Sequence, residues 1–254
     1  MLAVERRKLI LEKVHAEKKV IVSELSKEFE VSEETIRRDL DKMALEGHVI
    51  KSYGGAVINE IGSIDLPFNV RWKANSVGKQ KIADLLSRVI CDGDSIFLDA
   101  SSTAVAIAKA IRNKRGLTII TNSLEIAIEL LDVSECKVIL TGGEIVSTAF
   151  GVVGHVTDKT IRSYYLDKAV ISCKGLDLEK GFTDSDERHA NNKRSMLESA
   201  KSKILAIDNS KLDKISFAKI GKLSDLDMIV TDVKPEEKWL QKFAEYNVEC
   251  IYPE

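Results

Sequence analysis

The chain is short of the residues that would place it in several common classes. It has four cysteines in 254 residues, Cys91, Cys136, Cys173 and Cys250, far apart and without a C-x-x-C pair. That spacing argues against a zinc site and against a secreted disulfide framework, so no metal is expected and buried free thiols are. Prolines number only three, Pro67, Pro235 and Pro253, and Pro235 suits the first turn of a helix. No apolar run approaches the ~18 residues that span a bilayer. The start Met-Leu-Ala-Val-Glu-Arg-Arg-Lys is too charged for a signal peptide, so a cytoplasmic protein without a membrane partner is expected. Gly-x-Gly-x-x-Gly and Gly-Lys-Ser/Thr are both absent, which removes the dinucleotide fingerprint and the P-loop, and no cofactor is expected. No internal repeat or low-complexity tract appears. Positive charge is not in excess either, with a formal net charge of −2.

What is present describes an ordinary globular protein, 44% hydrophobic and 31% charged, long enough for one or two domains. Residues 4–17 carry Leu9, Ile10 and Val14 at a helical period. After the basic pair Lys18-Lys19, residues 22–29 form a shorter helix with Leu25 and Phe29 on one face and Ser23 as a cap. Val31-Ser32 then turns into a third helix that ends at Gly47. Ser32 is a good N-cap, and Ile36, Leu40 and Met43 recur at i, i+4 and i+7, so this stripe packs inward. Arg38 points outward, flanked by Thr35, Lys42 and Arg37. Such a face suits a major groove, where Arg donates in pairs to guanine and Thr touches a thymine methyl. A merely solvated charged face is the competing reading. Beyond it, His48–Tyr53 and Ala56–Ile58 flank Gly54-Gly55, the pattern of a hairpin. A hairpin directly after a recognition helix is a wing, from which Lys51, Ser52 and Tyr53 can reach phosphates. The region as far as Val57 holds eleven Lys and Arg against eleven Asp and Glu. Affinity for double-stranded DNA must therefore come from placed side chains and repeated copies, not bulk attraction.

The run from Glu5-Arg6-Arg7 through Val31-Ser32-Glu33-Glu34-Thr35-Ile36-Arg37-Arg38-Asp39-Leu40 to Gly54-Gly55-Ala56 resembles the winged helix of the DeoR family of bacterial transcriptional regulators. Tyr53 and Lys51 stand where family members usually have His and Arg.

Residues 59–75, with Gly62 and Pro67, hold no sustained period and read as a linker between a winged helix-turn-helix domain over 1–58 and a second domain over 76–254. From Lys79 onward, helices near 77–91, 104–112, 124–132, 155–163, 186–201 and 235–245 alternate with strands near 95–99, 117–121, 137–141, 168–172, 203–207, 227–231 and 248–251. Alternation of this kind implies an α/β domain with a mostly parallel sheet.

Ligands bind such sheets at the carboxyl ends of the strands. Asp99, Ser101, Ser102 and Thr103 follow one strand and open a helix, bringing hydroxyls and amides to a positive helix end. Thr121, Asn122 and Ser123 repeat the arrangement, and Gly142-Gly143 after a third strand permits close backbone approach. Each hydroxyl turn is also readable as a simple N-cap; together they suggest an anion pocket. The later loop from Lys174 through Asp184 and Glu187 is rich in carboxylates that accept from sugar hydroxyls, while Lys193, and Lys211 after another strand, can meet a phosphate. The acidic residues can equally serve only the dipole of the helix they precede.

Lys79 to Ala83, Asp92 to Asp94, Asp99 to Thr103, Thr121 to Ser123, Gly142-Gly143, Gly175, Gly181 to Thr183, Asp208 to Lys211 and Thr231-Asp232 are similar to the sensor domain of the same family, which commonly has Gly where this chain has Ser101. The resemblance covers nearly the whole chain. It implies a fold similar to ribose-5-phosphate isomerase and coenzyme A transferases, and a phosphorylated sugar or related metabolite as effector. A transcriptional regulator follows, a repressor of sugar genes by family habit, working as a homodimer or higher homo-oligomer on repeated half-sites. The rival enzyme reading is a sugar-phosphate isomerase with a DNA-binding extension, using Asp177, Asp184, Glu187 and Lys193 for proton transfer. A protein-interaction adaptor would leave Arg37 and Arg38 unexplained.

Overall fold

The computed structural model describes residues 2–45, 49–58 and 67–254. The expected helix stop at Gly47, the residue His48 and residues 59–66 of the expected linker, including Gly62, lie outside the described residues. The chain divides into two compact units, Met1–Val70 and Arg71–Glu254.

The first unit contains α1 (Ala3–Glu17), β1 (Lys19–Ile21), α2 (Val22–Glu28), α3 (Glu33–Leu45), β2 (Val49–Ser52) and β3 (Gly55–Ile58). Its core gathers Ile10, Val14 and Leu25 against Ile36, Leu40 and Met43, so the apolar stripe of α3 does pack inward. Burial of each such aliphatic side chain contributes roughly 1.5–3 kcal/mol, enough in sum to fix the helix orientation. The wing is a hairpin in which Ser52 pairs with Gly55, leaving Tyr53 and Gly54 as its turn. Gly54 takes a φ of 78°, which a side chain would strain. Gly55 has a different reason: a Cβ there would lie 2.1 Å from the Val20 carbonyl oxygen of β1. That strand, absent from the sequence reading, pairs with β3 and gives the order β1-β3-β2.

The second unit begins inside a short helix, α4 (Phe68–Lys73), which lies within the segment expected as linker. It comprises α5 (Ser76–Val89), β4 (Ser95–Leu98), α6 (Ser102–Ala110), β5 (Thr118–Thr121), α7 (Leu124–Glu129), β6 (Lys137–Leu140), β7 (Glu144–Val146), β8 (Gly151–Val153), α8 (His155–Arg162), β9 (Leu166–Ile171), β10 (Gly175–Asp177), β11 (Gly181–Asp184), α9 (Glu187–Glu198), β12 (Ala200–Ala206), β13 (Ala218–Gly221), β14 (Met228–Val230), α10 (Glu237–Glu245) and β15 (Glu249–Ile251). Seven strands form one sheet in the order β15-β14-β12-β9-β4-β5-β6, with every pairing parallel. Its largest apolar cluster sets Phe97, Ile171 and Leu205 of the strands with Met196, Trp239 and Phe243 of the helices.

The chain builds outward from β4 to β6, then returns to place β9 on the other side of β4. This reversal makes the carboxyl ends of β4 and β9 the switch point at which open α/β sheets bind ligands. Two smaller antiparallel pieces lie outside the main sheet, the hairpin β7-β8 and the sheet β10-β11-β13.

Three expectations need correction. Ser23 does not cap α2, which begins at Val22 with Ile21 at its N-cap and no side-chain capping bond. Pro235 is not inside a helical first turn: α10 begins at Glu237 with Glu236 at its N-cap, so the proline stands just ahead of it. Of the four thiols only Cys173 is buried, Cys91 being exposed in the turn after α5 and the other two half-buried. Among the described residues no helix is long and apolar enough to cross a membrane, and no group of three His, Cys, Asp or Glu is placed to hold a metal ion.

Candidate functional sites

On the winged helix, Ser32 caps α3 by accepting from the Thr35 amide at 3.2 Å, and the two hydroxyls share a bond at 2.9 Å. Arg37 and Arg38 stand on the solvent side, the Arg38 side chain 79% exposed. Each is drawn back along the helix to a carboxylate, Arg37 to Glu33 at 3.0 Å and Arg38 to Glu34 at 3.3 Å. The wing lysine Lys51 pairs with Asp41 of α3. Exposed ion pairs of this kind are worth about 0–1 kcal/mol, so they yield readily to a phosphate or a base edge. Lys42, Ser52 and Tyr53 are exposed as well, Tyr53 at the tip of the wing.

The next residue in the helix behaves oppositely. Asp39 is buried, accepting from Arg6 Nε at 2.6 Å and from Arg7 at 3.3 Å. It ties α3 to α1 and so orients the outward arginines. The signal for it in the sequence is an acid on the inner side of α3 together with the basic pair Arg6-Arg7 at the chain start.

In the second unit, Asp99 lies at the end of β4, fully buried. One of its oxygens accepts from Ser101 Oγ at 2.6 Å and the other from the Ser172 amide, beyond β9, at 3.3 Å. Ser101 in turn caps α6, accepting from the Ala104 amide at 3.0 Å with φ −99°. A side chain is thus accommodated at this turn, and its hydroxyl joins helix to strand. The first-turn amides of α6 have no partner within the helix and face the carboxyl edge of the sheet.

Lys193 of α9 reaches this edge from the other side. Its ammonium lies between Asp99, at 3.1 Å, and Asp184, all three buried. Burial by itself would raise the Asp184 carboxyl and lower the lysine. The charges of Lys193 and Lys174 prevail, holding Asp184 near about 2, and the two carboxylates push Lys193 above its ordinary value.

A third group completes the edge, and the sequence reading had not singled it out as a site residue. Lys79, near the start of α5, is 6% exposed. Its ammonium donates to the carbonyls of Arg71 and Ala74, and Ser102 Oγ donates to the same Arg71 carbonyl at 3.4 Å. Burial pushes Lys79 down to about 8, helped by the charges of Lys211, Arg71 and Lys174 and opposed by Asp208. Asp208 is held below its ordinary range because Lys211, Ser210 and Lys79 outweigh its burial. Lys174 and Lys214 approach through their backbones: the Lys214 carbonyl would be 2.4 Å from a Cβ on Gly175. A lysine near a helix start reads as a solvated charge, so only the fold reveals this one.

Other expected site residues are drawn into the scaffold. Thr121 donates to the Leu98 carbonyl at 2.7 Å, Asn122 to the Val152 carbonyl at 2.9 Å, and Ser123 caps α7. All three are buried, because β8 lies over this turn. Gly151 permits that approach, since a Cβ there would come within 2.6 Å of Ala100 Cβ. Gly142 and Gly143 pack on α8: Thr157 donates to the Gly142 carbonyl at 2.7 Å, and a Cβ on Gly143 would meet Thr157 Oγ1 at 2.2 Å. Glu187 is exposed in the first turn of α9, and Asp177 accepts amides of its own hairpin turn at 2.9 and 2.8 Å. Of the four groups an isomerase reading would use, the fold brings together only Asp184 and Lys193.

Comparison with known proteins follows the same division. Residues 6–61 match the DeoR-like helix-turn-helix domain, and residues 74–233 match the DeoR C terminal sensor domain. Similar proteins include YulB of Bacillus subtilis, an uncharacterized HTH-type transcriptional regulator, 38% identical over 91% of this chain and 90% of that protein. The HTH-type transcriptional regulator GolR of Listeria innocua is 33% identical over 96% of each chain. The glycerol-3-phosphate regulon repressor of Escherichia coli is 29% identical over 96% of this chain and 97% of its own. Among solved structures, a ribose 5-phosphate isomerase A from Methanocaldococcus jannaschii overlaps 55% of each chain, with a TM-score of 0.41 and 16% identity.

Proposed function

The chain belongs to the DeoR family of transcriptional regulators, and from that premise we propose that a phosphorylated sugar, bound at the Asp99–Thr103 turn, sets how tightly the winged helix holds its operator. Arg38 reads a base edge in the major groove, with Arg37, Thr35 and Lys42 beside it and Ser32 fixing the helix start. Lys51, Ser52 and Tyr53 meet backbone phosphates from the wing. The protein works in the cytoplasm as a repressor of sugar genes, in a dimer or larger assembly that engages repeated half-sites.

The observation that carries the effector reading is the cationic edge. The first turn of α6, Ser102 and the buried ammonium of Lys79 converge there, and Lys211 and Lys174 lie close enough to disfavour charge on Lys79. Asp208 offsets part of that repulsion, and the Lys79 ammonium, with two protons on backbone carbonyls, keeps a third for a ligand oxygen. The phosphate sits at this point, and the Asp99–Lys193–Asp184 network offers acceptors to the sugar hydroxyls.

A thermal-shift screen of sugar phosphates against the corresponding free sugars tests the proposal. A phosphorylated ligand at 100 times its dissociation constant should add about 2.7 kcal/mol of stability. Equal shifts from unphosphorylated sugars, or none from any phosphorylated one, would overturn it.

A further inference from the structure

Lys79 stands where the ligand edge meets the segment with which the second unit begins. An ammonium carries three protons. The Lys79 ammonium donates to the carbonyls of Arg71, near the carboxyl end of α4, and of Ala74, in the turn behind it. Ser102, in the first turn of α6, donates to the Arg71 carbonyl as well. The same segment has a second tie to the edge. Asn75, at φ 45°, caps α5 by accepting from the Gly78 amide at 3.2 Å, and its side-chain amide donates to Asp232 at 3.0 Å. The other Asp232 oxygen accepts from the Asn209 amide at 2.7 Å, inside the turn that carries Asp208 and Lys211. Residues 71–75 are therefore held by the groups that surround the anion seat.

We propose that Lys79 is a positioning residue that couples the bound anion to residues 71–75, two of its protons holding the Arg71 and Ala74 carbonyls while the third meets an anion oxygen. The inference rests on the reading that the Asp99–Thr103 turn takes a phosphorylated ligand. Burial first, and then the charges of Lys211, Arg71 and Lys174 against the pull of Asp208, lower the hold of this ammonium on its proton to about 8. An anion at the α6 amino end reverses the balance and keeps the lysine charged. With its third proton on an anion oxygen the charged ammonium is pinned in one orientation, and its two charge-assisted bonds to the carbonyls are held with it. By linkage, whatever fixes residues 71–75 favours the ligand to the same degree. Ligand occupancy thereby becomes order at the point where the chain enters its sensor unit.

Hydrogen exchange followed by mass spectrometry on the full chain tests this, with saturating inorganic phosphate as the probe and chloride at equal ionic strength as the reference. Slower exchange is expected at residues 100–104 and 208–211, and also, by about threefold or more, in the peptide covering 71–76. Protection at the two site loops with unchanged or faster exchange over 71–76 would overturn the coupling and leave the anion site standing. Absence of protection at the site loops would overturn the anion site, and the coupling with it.

Discussion

Arg38 and Lys79 are both cations, and their surroundings give them different work. Arg38 is 79% exposed and, among the described residues, bound to Glu34 one turn back, so it is available to a base edge. Replacing it with Ala should weaken operator binding by about 1–3 kcal/mol, as for one direct base contact. Competition titrations against random duplex decide the role, because equal losses on both DNAs would assign Arg38 to phosphate instead. Lys79 is buried and lowered to about 8 from an ordinary 10.5. The folded chain holds that proton less tightly than the unfolded chain, so its contribution to stability improves as pH rises from about 8 toward the ordinary lysine range. Anion affinity moves the other way, because the cation is lost over the same window. Calorimetric titration of a phosphorylated ligand from pH 7 to 9.5 should show affinity falling through about pH 8; a flat profile would contradict this role. Arg38 was legible from the sequence, since the apolar stripe of its own helix fixes its direction. Lys79 was not, because its meaning depends on carbonyls at 71 and 74 and on a charge cluster gathered from three other segments.

At the level of elements, the recognition helix is oriented by one buried acid. Asp39 accepts from Arg6 and Arg7 with both Asp39 and Arg6 nearly excluded from solvent. Asp39→Ala leaves a guanidinium buried without its partner, which typically costs about 3–5 kcal/mol. Both tryptophans, Trp72 and Trp239, lie in the second unit. Denaturant unfolding should therefore show an early loss of part of the helical circular dichroism while the tryptophan fluorescence transition stays in place. A common shift of both signals would mean that the units unfold together. The long elements were readable in the sequence because helical and strand periods persist over many residues. Some short ones were not: β1, β7, β8 and β10, three residues each, lie outside the helix–strand alternation that revealed the equally short β14 and β15, and β1 is fixed by a partner distant in the chain. Two hydroxyl turns looked alike in sequence, and Gly151, far along the chain, comes against both, beside Ala100 of one and Asn122 of the other, an approach that no local pattern announces.

For the whole molecule, a neutral DNA-binding unit joined to a cationic sensor edge separates the two tasks. Bulk charge does not hold the protein on DNA, so specificity falls to a few placed side chains, repeated in the proposed assembly, and a ligand-dependent change in the sensor can tip the balance. The most direct test uses the full-length protein and an operator selected from a random duplex library, titrated at fixed salt with and without the sugar phosphate that most raises thermal stability. A change in operator Kd of at least tenfold, about 1.4 kcal/mol of coupling, is expected, with binding to random DNA unchanged. A ligand that stabilises the protein and leaves operator Kd where it was would contradict the central claim.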